Sequence, residues 1–75
     1  MRRILITGAL GQIGSELTEE MRKIYGSDNV VASSRRIKEG HEKLIESGPF
    51  EIINVNDPKT LASAVDKYKI NTIVN

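Results

Sequence analysis

The stretch Ile4-Leu5-Ile6-Thr7-Gly8-Ala9-Leu10-Gly11-Gln12-Ile13-Gly14 constrains the chain more than any other. A short apolar run stops at Thr7-Gly8, glycines follow at 8, 11 and 14, and beyond Gly14 the apolar spacing becomes helical. That order reads as a strand, a tight turn and the start of a helix. The first amides of a helix have no carbonyl one turn back to bond, and the helix dipole adds partial positive charge at that end. Such a turn is a site for phosphate. Gly8 permits the sharp turn, Gly11 a close approach of backbone to a pyrophosphate, and Gly14 close packing of helix on strand. Three glycines at this spacing are common, so context carries the reading. A buried-type strand precedes them, an amphipathic helix follows, and a second apolar strand comes at the right distance. A glycine-bearing turn without a ligand is the alternative.

The rest of the chain alternates in the same way. Residues 3–7 form the first strand, continuously apolar as a strand covered on both faces is. A helix over 12–25 carries Leu10, Ile13, Leu17, Met21 and Ile24 as one core stripe. Glu16, Glu19, Glu20, Arg22 and Lys23 fall on its other side, and Gly26 ends it. Residues 29–33 give a second strand around Val30-Val31-Ala32, and a short helix over 42–47 buries Leu44 and Ile45. Residues 50–55 give a third strand. Asp57 caps and Pro58 opens a third helix, with Leu61, Ala64, Val65 and Tyr68 on one face and its end near Lys69. Residues 71–75 open a fourth strand. The order β-α-β-α-β-α-β predicts an α/β fold with a parallel sheet. Right-handed crossovers favour the strand order 3-2-1-4, half of a doubly wound Rossmann sheet, with its switch point beside the first strand.

Seventy-five residues allow one domain, so residues 1–75 read as a single half-domain. The absence of cysteine excludes disulfides and thiolate metal sites. Eleven Lys+Arg against ten Asp+Glu leave a net charge of +1, which argues against nucleic acid or an acidic membrane as partner. Met1-Arg2-Arg3 resembles the start of a leader, but the apolar run after it ends at Ile6, too short for export or spanning. The cytoplasm is the expected compartment.

In dinucleotide-binding folds an acid about 20 residues past the glycines accepts the ribose hydroxyls. That count from Gly14 reaches Ser34, followed by Arg35 and Arg36. A carboxylate there would repel the 2′-phosphate of NADP, whereas a hydroxyl and guanidinium groups accept it. NADP is therefore expected over NAD; two solvated surface arginines are the plain alternative. At the end of the third strand Asn54 is expected to bond the adenine amino group and Val55 to pack on the ring. His41, the single histidine, is expected to face solvent. Tyr25 and Tyr68 lack a lysine four residues on, since Asn29 and Thr72 stand there, and read as packing residues. No catalytic constellation is visible.

Thr7-Gly8-Ala9-Leu10-Gly11-Gln12-Ile13-Gly14 resembles the Thr-Gly-x-x-Gly-x-x-Gly motif of the extended short-chain dehydrogenases/reductases. Gly14-Ser15-Glu16-Leu17, Asn29-Val30-Val31-Ala32-Ser33, Ser47-Gly48-Pro49-Phe50-Glu51 and Tyr68-Lys69-Ile70-Asn71-Thr72-Ile73 narrow the likeness. They resemble the N-terminus of the short-chain L-threonine 3-dehydrogenase branch, relatives of nucleotide-sugar epimerases. The resemblance implies pyrophosphate contacts at Gly8, Gly11, Gln12, Ile13 and Gly14. It places the family's ribose-binding Asp on Ser34 and its adenine-contacting Asp on Asn54, and neither acid is present. It implies threonine oxidation to 2-amino-3-ketobutyrate by a full-length relative. The family's Tyr-x-x-x-Lys pair has no counterpart in residues 1–75, so the segment alone is expected not to be catalytic. An epimerase segment, or a structural α/β module that self-associates, are the competing readings. A fourth strand with an open edge predicts a homodimer or larger assembly.

Overall fold

The computed structural model describes residues 2–37 and 39–74. Met1, in the leader-like start, and Asn75, at the end of the expected fourth strand, lie outside the described residues. The elements are β1 (Ile4–Ile6), α1 (Gln12–Tyr25), a 3-10 turn (Ser27–Asn29), β2 (Val30–Ser34), α2 (Glu42–Glu46), β3 (Phe50–Ile52), α3 (Pro58–Tyr68) and β4 (Thr72–Val74). The four strands form one parallel sheet in the order β3-β2-β1-β4. Ile4 is level with Val30 on one side and Thr72 on the other, and Ala32 is level with Phe50.

Successive strand residues point to opposite faces, and the core splits accordingly. Ile4, Ile6, Val30 and Ala32 pack with Leu10 and Leu44 under α1 and α2. Leu5, Val31 and Ile53 pack with Ala64 under α3. β1 is buried throughout because helices cover both of its faces. Each such side chain contributes about 1.5–3 kcal/mol relative to exposure.

Two expectations about α1 need correction. Ile13 and Ile24, expected in the core, are 82% and 69% exposed. Thr18 and Arg22 are buried instead, Arg22 against the expectation of a solvent-facing charge. The cause is Gly14. A Cβ there would lie 2.2 Å from the Gly8 carbonyl oxygen, so the helix sits hard against the turn through this residue. The line Gly14–Thr18–Arg22 then faces inward, one residue every four. Leu17 and Met21 lie on its flank, half-buried, and Ile13 and Ile24 lie further round.

Arg22 is held by acceptors from three segments. Its Nε donates to Val30 O (3.2 Å), Nη1 to Leu44 O (2.6 Å) and Ser47 Oγ (3.0 Å), and Nη2 to Pro49 O (2.7 Å). Burial pulls the guanidinium below its ordinary value, and these acceptors stabilise its charge. Gly48 makes room for it: a Cβ there would lie 2.7 Å from Arg22 Nε.

β3 is shorter than expected. Ile53 N still donates to Ser34 O (2.9 Å), but Asn54 turns the chain by accepting from Asn56 N at its Oδ1 (3.0 Å). Asp57 caps α3 as expected, its Oδ1 accepting from Lys59 N (3.0 Å), with Pro58 at the first helical position. His41 is half-buried at the N-terminal cap position of α2, not fully solvent-facing. Tyr68 packs against the α3 side of the core, whereas Tyr25 is exposed.

Candidate functional site

A groove of about 860 Å³ opens at the C-terminal end of the sheet. Its walls are Ile6, Thr7 and Gly8 from the end of β1, and Ile13, Gly14 and Leu17 from α1. Ser33, Ser34, Arg35 and Arg36 come from the end of β2, and Ile53 and Val55 from the segment after β3. Open parallel sheets bind ligands at this end, where connections leave a strand in opposite directions. Here that strand is β1, with β2 and β4 on its two sides.

The turn over this groove is held by the protein's main chain. Gly8 has φ +65°, the left-handed region that a side chain disfavours. Gly11 N donates to Gly8 O (3.2 Å), and Ala9 N donates to Ser33 O (2.8 Å). Buried Ser33 donates its hydroxyl to Ile6 O (2.8 Å), which ties the end of β2 to β1. These bonds fix the loop and leave the helix start open. Ser15 N donates to Gly11 O (2.8 Å), closing the first turn of α1. The amides of Gln12, Ile13 and Gly14 lie ahead of that bond and have no carbonyl one turn back. No side chain caps them, and the first turn carries no acid that would cancel the positive pole of the helix. At Gly11 a Cβ would touch only the Gly8 carbonyl oxygen, at 3.4 Å. The turn is therefore open on its outer side, as a diphosphate requires.

The groove wall at the end of β2 is basic. Ser34 is half-buried, with its carbonyl engaged by Ile53 N. Arg35 and Arg36 are exposed, and neither makes an ion pair among the described residues. Among the described residues no carboxylate lines the groove. The structure thus brings Gly8, Ile13, Gly14, Ser34, Arg35, Arg36 and Val55 together on one cavity. Gly11 and Gln12 are exposed and stand outside its lining, as does Asn54, whose Oδ1 is engaged by Asn56 N. Ile6, Thr7, Leu17, Ser33 and Ile53 line the groove without having been singled out from sequence. Each reads there as strand or helix core, and only their position at the carboxyl end of the sheet marks them.

The second polar cluster sits outside this groove. Glu51 on β3 accepts from Lys67 Nζ (2.8 Å) and Tyr68 Oη (2.6 Å), and these bonds hold its carboxyl below the ordinary glutamate value. Among the described residues no group of His, Cys, Asp or Glu is arranged to hold a metal, and no helix is long and apolar enough to cross a membrane.

The family profile of NAD dependent epimerases/dehydratases matches residues 4–75. An uncharacterized epimerase/dehydratase of Staphylococcus haemolyticus is 43% identical over all 75 residues, which cover 23% of that protein. A counterpart from Staphylococcus saprophyticus is 44% identical over the same share. Among solved structures, L-threonine dehydrogenase from Clostridium difficile superposes with a TM-score of 0.90 at 56% identity, over 97% of this chain and 23% of that one. A GalE-like L-threonine dehydrogenase from Cupriavidus necator in its holo form gives 0.82 at 35% identity, over 95% and 22%. The chain therefore spans about a quarter of the length of these relatives.

Proposed function

The chain belongs to the NAD dependent epimerase/dehydratase family, and from that premise we propose that its groove binds the adenosine-diphosphate half of a nicotinamide dinucleotide. Residues 1–75 are, in this reading, the N-terminal dinucleotide-binding half-domain of an oxidoreductase resembling L-threonine 3-dehydrogenase. The observation that carries it is the uncapped first turn of α1 opening beside a groove lined by Ser34, Arg35 and Arg36.

The amides of Gln12, Ile13 and Gly14 hold the pyrophosphate, while Gly8 and Gly11 keep side chains out of its way. Val55 packs on the adenine. Asn54 bonds its amino group, sharing an Oδ1 already engaged by Asn56 N. The cofactor, NADP or NAD, supplies hydride acceptance when bound. The oxidation of threonine belongs to the whole protein, with catalytic groups outside these residues. We place the protein in the cytoplasm, assembled as a homodimer or larger through β4 or the face that only α3 covers, with no nucleic acid or membrane as partner.

Calorimetric titration of ADP into the 75-residue chain and into Gly11→Val tests the site. Gly11 has φ −74° and ψ 167°, an extended conformation that valine adopts readily. The variant should keep its thermal midpoint while ADP affinity falls at least about tenfold, a loss of 1.4 kcal/mol or more. Unchanged ADP binding would remove the assignment. The staphylococcal relatives' epimerase/dehydratase names favour a second reading, a nucleotide-sugar epimerase with the same cofactor site. Threonine-dependent cofactor reduction by the whole protein separates the two.

A further inference from the structure

The groove does more than accept a dinucleotide: we infer that Ser34, Arg35 and Arg36 select the one carrying a phosphate on its adenosine ribose, NADP over NAD. The inference rests on the dinucleotide reading of the groove and adds the chemistry of one end of it.

Three observations carry it. The arginines follow the last residue of β2 and share a cavity with Gly8, Ile13 and Gly14. An anion extending from a diphosphate at the helix start would meet them within the same groove. Second, Arg35 and Arg36 make no hydrogen bond or ion pair among the described residues. Arg22 and Arg3, by contrast, are spent on main-chain carbonyls. Third, Ser34 is anchored by its main chain through Ile53 N, and its hydroxyl has no partner among the described residues. A hydroxyl and two guanidinium forks are free to bond one phosphate group.

A carboxylate at this position would instead accept two ribose hydroxyls and repel a phosphate. Among the described residues none lines the groove, and the position of the ribose acid is Ser34, so NAD gains no such acceptor from it and NADP meets no repulsion there. Guanidinium forks match phosphate oxygens in pairs, and such charge-assisted bonds are about twice as strong as neutral ones. Both arginines are exposed, so water and salt screen them and the preference is bounded.

Titrations of NADP, NAD and ADP into the chain decide it, beside an Arg35→Gln/Arg36→Gln double variant and Ser34→Asp. NADP should bind at least about tenfold tighter than NAD at low salt. The double variant should bring the NADP-to-NAD ratio close to one, and Ser34→Asp should turn it in favour of NAD. Equal or tighter binding of NAD, with ADP still bound, overturns the preference and leaves the dinucleotide site standing. A ratio that survives in the double variant overturns the assignment to the arginines. Binding of none of the three ligands overturns this inference together with the reading beneath it.

Discussion

Gly8, Gly11 and Gly14 look alike in the sequence and differ in what they require. At Gly14 the space is already filled, since a Cβ would lie 2.2 Å from the Gly8 carbonyl oxygen and 3.1 Å from Ala9 Cα. Gly14→Ala must lift α1 off the turn, and overpacking of this kind costs about 3 kcal/mol. A urea melt should show that loss, whereas Gly11→Val should melt like the parent; equal midpoints for Gly14→Ala and the parent would refute the close approach. Arg22→Met keeps the stem and strips the donors from Val30 O, Leu44 O, Pro49 O and Ser47 Oγ, a loss of about 3–5 kcal/mol. A domain of this size has roughly 5 kcal/mol in all, so the variant should be largely unfolded at 37 °C by circular dichroism. A folded Arg22→Met would contradict the clamp. The roles of Gly8 and Gly14 were legible from the motif, because φ and close approach are properties of the turn itself. Arg22 was not, because a helical wheel counts arginine as polar. Its burial depends on carbonyls brought together from β2, α2 and the approach to β3, which no local pattern shows.

At the scale of elements, α3 is defined by its ends. Asp57 supplies the cap for Lys59 N, and Asp57→Ala should cost about 1 kcal/mol. Lys69 ends the helix at φ 55°, a left-handed conformation that favours glycine. Lys69→Gly should therefore stabilise the chain by about 0.5–1 kcal/mol in a thermal melt, and a loss would contradict the strain. The bonds from Lys67 and Tyr68 fasten α3 to β3 through Glu51, whose carboxyl they hold below its ordinary value. A lowered carboxyl contributes stability above its unfolded value and loses it as pH falls through the folded one. The stability gap between parent and Glu51→Gln should thus shrink as pH drops from neutral into the acid range; a gap constant with pH would exclude the link. The elements themselves were largely readable, the cap-and-proline start of α3 above all. The facing of α1 was not. Leu10, Leu17 and Met21 mark the apolar side, but Gly14 and Thr18 take the centre of the contact, so Ile13 and Ile24 turn outward. β3 stops early because the Asn54 side chain bonds Asn56 N and bends the chain, a local competition that the apolar run at 50–55 hides.

For the whole molecule, strand order followed from right-handed crossovers, and it decides where everything else lies. It places β1 between β2 and β4 and the glycine turn at the carboxyl end of the sheet. It also puts α1 and α2 on one face and α3 alone on the other, with Ile73 of β4 48% exposed. Among the described residues no strand pairs with the outer edge of β4, and such an edge is a template for a further strand. Sedimentation of the 75-residue chain should reveal a dimer or larger species that a charge at Ile73, in Ile73→Lys, disperses; a monomer at high concentration would exclude self-association. The groove was legible as a place, since the glycines and the end of β2 must meet there. Its full lining was not, because Ile6, Leu17, Ser33 and Ile53 carry no signal beyond being core. That the first amides of α1 receive a diphosphate can be read from amide NMR during an ADP titration. Saturable shifts should concentrate at Gln12, Ile13 and Gly14, with smaller ones at Ser34 to Arg36. Shifts confined to other surfaces, with those three amides unmoved, would contradict it.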